Sequence, residues 1–111
     1  MTDPKILPAL LAGGWEALDF EPFRDGIEVH WLRRSDPQVA LLRYAPGARV
    51  PLHRHAGLET ILVLDGAQSD DRGTYGKGDL VLNPAGSQHR VWSKGGCVVL
   101  LQWEKPVEFL R

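Results

Sequence analysis

Glycine and proline punctuate this chain so densely that a long helix has no room: twelve glycines and eight prolines are spread through 111 residues. Either residue inside a helix costs stability, and proline also removes a backbone donor. The pieces between them are rich in valine, leucine, isoleucine and aromatics and show no sustained 3.6-residue period. They read as strands: "IEVHWLR" (27–33), "QVALLRYA" (38–45), "ETILVLD" (59–65), "DLVLN" (79–83), "HRVWS" (89–93) and "CVVLLQW" (97–103). Turn chemistry such as "SDP", "APG", "DDRG" and "SKGG" separates them. Many short strands at close spacing predict an all-β sandwich or barrel.

The stretch through Phe23 is less regular. "PALLAG" suits a short helical turn and "WEALDF" an edge strand, so residues 1–25 read as an N-terminal arm or edge strand and residues 26–111 as the barrel. A chain of this length buries about two-thirds of its unfolded surface, enough for one core and one domain. The tail "EKPVEFLR" is expected to fold back through Val107, Phe109 and Leu110.

Thirteen basic residues stand against fourteen acidic ones, and no basic run exceeds Arg33–Arg34, which argues against nucleic acid and anionic membrane as partners. Cys97, the single cysteine, lies in an apolar run and reads as a buried thiol. The apolar start is interrupted by Pro8 and has a poor basic region, and nothing approaches the length of a membrane span, so a soluble, cytoplasmic protein is expected.

The chemistry concentrates in "GARVPLHRHAGLET". On a strand, His53 and His55 project from the same face, and Glu59 follows on the same parity. His89 must come from another strand. Imidazoles with one carboxylate make a borderline donor set suited to zinc, iron, manganese, nickel or copper. Taken alone, two histidines at i, i+2 are more often a surface or hydrogen-bonded pair than ligands. His30 reads as an ordinary surface or core histidine. By parity Val91 and Ser93 share the face of His89, whereas Arg90 and Trp92 point away. Arg43, Tyr44 and Gln102 interrupt apolar strands; outward exposure is the simpler reading of each, a place in the cavity the alternative. The four tryptophans read first as apolar bodies for a core or interface, and "SDDRG" (69–73) as a solvated hairpin turn.

The spacing around these residues resembles the cupin superfamily. "GARVPLHRHAGLETILVLDG" fits the first cupin motif, G-x5-H-x-H-x3-E-x6-G, at Gly47, His53, His55, Glu59 and Gly66. "GDLVLNPAGSQHRVWS" fits the second, G-x5-P-x-G-x2-H-x3-N, at Gly78, Pro84, Gly86 and His89, with Ser93 where the motif has asparagine. That departure bears on polarity around the site more than on metal binding. The wider run is more similar to the cupin domain of ChrR-type anti-sigma factors and their stand-alone relatives than to the seed-storage or sugar-epimerase branches.

The resemblance implies a double-stranded β-helix, a jelly-roll-like barrel with one open mouth, holding one divalent transition metal per chain through His53, His55, Glu59 and His89. It allows Glu59 a catalytic part as well, loosening to take a proton as in cupin dioxygenases. Two functions follow as expectations. One is a metal-dependent, dioxygenase-like enzyme acting on a small chelating ligand or substrate such as a β-diketone, catechol or thiol. The other is a regulatory module that senses metal or a small molecule; direct sigma-factor binding is not expected, because the cysteine pair of the zinc-binding anti-sigma domain is absent upstream. A homodimer is expected, with the apolar "ILPALLAGGW" pairing with an edge or packing over a neighbouring barrel.

Overall fold

The computed structural model describes residues 3–110. Ten strands follow two short 3-10 turns: β1 (Glu21–Arg24), β2 (Ile27–Arg33), β3 (Gln38–Tyr44), β4 (Arg49–His55), β5 (Glu59–Asp70), β6 (Gly73–Gly76), β7 (Leu80–Asn83), β8 (Gln88–Trp92), β9 (Cys97–Trp103) and β10 (Val107–Phe109). All pairings are antiparallel, in the order β1-β2-β3-β9-β5-β8-β4-β10, with β6 and β7 also on β5. The twelve-residue β5 belongs to both halves of the curled sheet: Glu59–Gly66 pairs with β9, and Ala67–Asp70 pairs with β6. This is the expected cupin barrel, closed by one strand that turns from one sheet into the other.

"PALLAG" forms the anticipated turn at Leu10–Ala12. "WEALDF" does not form a strand. Gly14–Ala17 is a second 3-10 turn, and the edge strand comes later, at Glu21–Arg24, where it pairs with β2. The reason is the outer face of β3, β5 and β9. Leu41, Leu64 and Val98 point away from the barrel interior there, and Leu7, Leu10, Trp15, Leu18 and Phe20 pack over them as a second apolar cluster. Much of the segment expected to reach a partner subunit therefore covers the chain's own barrel. Among the described residues no helix is long and apolar enough to cross a membrane.

The main core fills the interior with Ile27, Val29, Leu42, Ile61, Val99 and Leu101 among others. Cys97 lies in it, and burial pushes its thiol up to about 11.

Gly66 sits at the point where β5 changes sheets. Its φ is +69°, and a Cβ there would stand 2.2 Å from the Gly96 carbonyl oxygen. Gly47 has a similar φ of +82° but open space around it. Gly47→Ala should therefore cost only the strain of a left-handed residue, about 1–2 kcal/mol. Gly66→Ala should cost clearly more, because the β5–β9 pairing must open. Denaturant midpoints of the two variants check this ranking; equal losses would mean that the close approach at Gly66 is readily relieved.

Candidate metal centre

Strand register assembles the site. His53 on β4 is directly opposite His89 on β8, and His55 lies two residues along the same face of β4. The rings meet edge-on, with centroids 4.6 Å apart for His53–His89 and His55–His89 and 5.1 Å for His53–His55. One nitrogen from each ring lies within 4.8 Å of those of the other two, and all three residues are buried.

Each ring uses its Nδ1 outward. His53 Nδ1 is 2.9 Å from the Pro51 carbonyl oxygen, which can only accept. His89 Nδ1 is 3.0 Å from Asp70 Oδ2, again an acceptor. His55 Nδ1 is 2.9 Å from Ser87 Oγ, whose own proton is donated to the Pro84 carbonyl at 2.6 Å. Every Nδ1 therefore carries a proton, and in the neutral ring every Nε2 is left with a lone pair. Two of these, His55 Nε2 and His89 Nε2, are buried without any hydrogen-bond partner. Buried polar atoms are rarely left so, and three imidazoles oriented through Nδ1 are the usual arrangement of metal-binding histidines.

Glu59 stands beside this trio. Its neighbours in the sheet are Asn83 on β7 and Trp103 on β9, and each engages one carboxylate oxygen: Asn83 Nδ2 donates to Oε1 at 3.0 Å and Trp103 Nε1 donates to Oε2 at 2.6 Å. Oε1 also lies 3.0 Å from His55 Nε2 and 3.8 Å from His89 Nε2. The Oε1–His55 approach is not aligned as a hydrogen bond. A carboxylate and an imidazole lone pair at that separation repel unless positive charge lies between them, so the donor set fits a bound cation.

Burial alone would raise the Glu59 carboxyl; protons on the His55 and His89 rings, or a cation held in their place, together with the Trp103 N–H, outweigh it and hold it below its ordinary value. Burial lowers His53, and the neighbouring His89 and His55 act in the same direction, against the Pro51 carbonyl. The carboxylate stays ionised and the His53 ring stays neutral, as metal ligation requires.

Other expectations sort clearly. Val91 lines the cavity above the histidines, but Ser93 does not: it is fully buried, and its hydroxyl donates to the Ala67 carbonyl at 2.7 Å, tying the end of β8 to β5. Tyr44 faces the cavity, whereas Arg43 pairs with Glu28 outside and Gln102 is exposed. His30 lies apart, with Nδ1 2.7 Å from the Asp19 carbonyl. Trp103 proves to be more than an apolar body through its bond to Glu59.

"SDDRG" needs the larger correction. Its turn residues are exposed, yet Asp70 is buried: its Oδ2 accepts from His89, and its Oδ1 accepts from the Tyr75 hydroxyl and the backbone N–H groups of Arg72 and Gly73. Burial would raise this carboxyl too, but those bonds hold it below its ordinary 3.8.

Two consequences can be measured with Asp70→Asn. Removing the charge that orients His89 should weaken metal binding by roughly 10–100-fold, read by competition with a chelator. Because the folded value lies below the unfolded one, the stability Asp70 contributes is complete above about pH 4 and is lost as pH falls through the folded value. The difference in melting temperature between the original protein and the variant should then be constant above that pH and shrink below it; a difference that grows in acid would contradict the sign.

The site opens into a cavity of about 390 Å³ whose walls include Leu42, Ile61, Val91 and Leu101. The sequence profile of the ChrR Cupin-like domain matches residues 11–107. The anti-sigma-E factor ChrR of Cereibacter sphaeroides is 35% identical over 87 residues, which make up 76% of this chain and 41% of that protein, so the chain spans under half of that relative's length. The structure of Rhodobacter sphaeroides SigE in complex with the anti-sigma ChrR matches with a TM-score of 0.71 at 27% identity, over 79% of this chain and 49% of that one. An acetylacetone dioxygenase from Acinetobacter johnsonii matches with a TM-score of 0.77 at 18% identity, over 83% of this chain and 72% of that one, a likeness of fold alone. With the profile matched along most of its length, this chain belongs to the ChrR Cupin-like domain family.

Proposed function

We propose that this chain is a mononuclear divalent-metal cupin that acts as a dioxygenase-type enzyme on a small chelating organic substrate. The observation that carries this reading is the convergence of three buried imidazoles, His53, His55 and His89, beside a cavity that His53 and Glu59 line and that is large enough for a small ligand. His53, His55 and His89 would hold the ion, with Glu59 as a further oxygen donor beside them. Among the described residues no second cluster of three candidate ligands occurs, so one ion per chain is expected.

A bound divalent metal would supply Lewis acidity toward a substrate oxygen or, as iron, reactivity toward dioxygen. The chain's own residues do the rest. Glu59 lines the cavity and is kept ionised, so its carboxylate can accept a proton from an acidic C–H or O–H of the substrate. Trp103 and Asn83 hold that carboxylate in place during the transfer. The aliphatic walls displace water from the reacting groups.

A second reading, a sensing or regulatory module, is favoured by the 35% identity to an anti-sigma factor. Both readings need the metal. His53→Ala, His55→Ala and His89→Ala should each lose most bound metal while remaining folded by circular dichroism; near-original content in all three would remove the basis of the proposal. With iron(II) and β-diketone, catechol or thiol candidates, dioxygen uptake that disappears in Glu59→Ala supports the enzyme. Tight metal binding with no uptake for any candidate favours the sensor.

A further inference from the structure

The cavity leads from His53 and Glu59 to a rim that the proposed metal chemistry does not use. Phe23 and Arg24 come from β1, at one edge of the sheet, and Phe109 comes from β10, at the other. Phe23 and Phe109 are 41% and 52% exposed, against 3% for His53 and 4% for Glu59, which places them at the outer end. The Arg24 guanidinium stacks over the Phe109 ring, 4.8 Å from its centroid.

Arg24 is the only arginine or lysine among the cavity's lining groups. Four other arginines have acids, Arg34 with Glu21, Arg43 with Glu28, Arg54 with Glu108 and Arg90 with Asp71, whereas among the described residues Arg33, Arg49 and Arg72 have no acid but do not line this cavity. Among the described residues the Arg24 side chain makes no hydrogen bond and no ion pair, even though Asp25 follows it in sequence. Stacking on Phe109 occupies one face of the guanidinium and leaves its in-plane N–H groups, the edge that binds a carboxylate with two parallel bonds.

We propose that Arg24 is the anion-recognition residue of this cavity and that its ligand is a small organic acid, with an apolar body between the aliphatic walls and a carboxylate against the guanidinium. This deepens the reading above and rests on it for what happens at the histidines. The acid's far end then lies toward His53 and Glu59, where a coordinating oxygen on the ligand would meet the metal. Tyr44 adds a second polar contact within the walls: its hydroxyl accepts from Gln68 Nε2 at 3.4 Å, and burial, the largest of several influences, keeps it protonated and able to donate.

The test uses hexanoate and its neutral counterpart hexanamide, titrated by tryptophan fluorescence against the full chain as purified and again after chelation, with metal content measured on the same samples. Hexanoate should bind more tightly than hexanamide after chelation. Arg24→Gln should weaken hexanoate by at least about tenfold in both states and leave hexanamide unchanged, the latter showing that the cavity is intact. Arg24→Lys, which keeps the charge and loses the fork, should fall between. Equal affinity for the two probes, or hexanoate binding that ignores Arg24→Gln, overturns the proposal. Loss of the Arg24 effect with metal still present tells against the anion site alone. An Arg24-dependent hexanoate site in protein that holds no metal as purified and takes up none when divalent metal is added tells against the metal reading alone.

Discussion

Three hydrogen bonds made on the outer side of the histidine rings determine what the inner side can do. Pro51, Ser87 and Asp70 each take the Nδ1 proton of one imidazole, and that leaves three lone pairs aimed into one buried space. The acceptors differ in kind, a carbonyl, a hydroxyl committed elsewhere and a carboxylate, yet each has the same consequence for the tautomer. The barrel can be understood as the scaffold that brings these acceptors and their rings to fixed positions. Opposed strands pair His53 with His89, and the same register places Trp103 and Asn83 on either side of Glu59.

That scaffold depends in turn on a strand that changes sheets. In the first half of β5 the inward residues are Glu59, Ile61 and Val63; after the irregularity between Val63 and Asp65 they are Gln68 and Asp70. The switch from odd to even positions is what lets one strand contribute the carboxylate beside the three candidate ligands and also the carboxylate behind one of them. Gly66 accommodates the switch because only a residue without a side chain fits against Gly96.

The same irregularity explains what was readable in the sequence and what was not. His53, His55 and His89 could be found because strand parity is regular around them and their spacing matches a known motif. The strands Ile27–Arg33 and Cys97–Trp103 were equally plain, the first from its apolar and β-branched residues alternating with polar ones, the second from a nearly continuous apolar run. Asp70 was hidden: counting by twos from Glu59 through an unmarked bulge puts it on the wrong face, and its neighbours "DRG" look like a solvated turn. Tyr44 and the apolar N-terminal segment were misjudged because sheet curvature and the covering of the outer face are tertiary outcomes that local pattern does not encode. Trp103 gave no signal beyond its size, since its bond to Glu59 depends on pairing across forty-four residues.

The most direct test of this account is the protonation of the rings themselves. Long-range proton–nitrogen correlation spectra of the chelated protein near neutral pH distinguish the two imidazole tautomers. His53, His55 and His89 should each show a protonated Nδ1 and a proton-free Nε2, without averaging between tautomers. A proton on Nε2 of any of the three, or rapid exchange between the two forms, would mean that the outward bonds do not fix the rings, and the case for a preformed metal centre would fail.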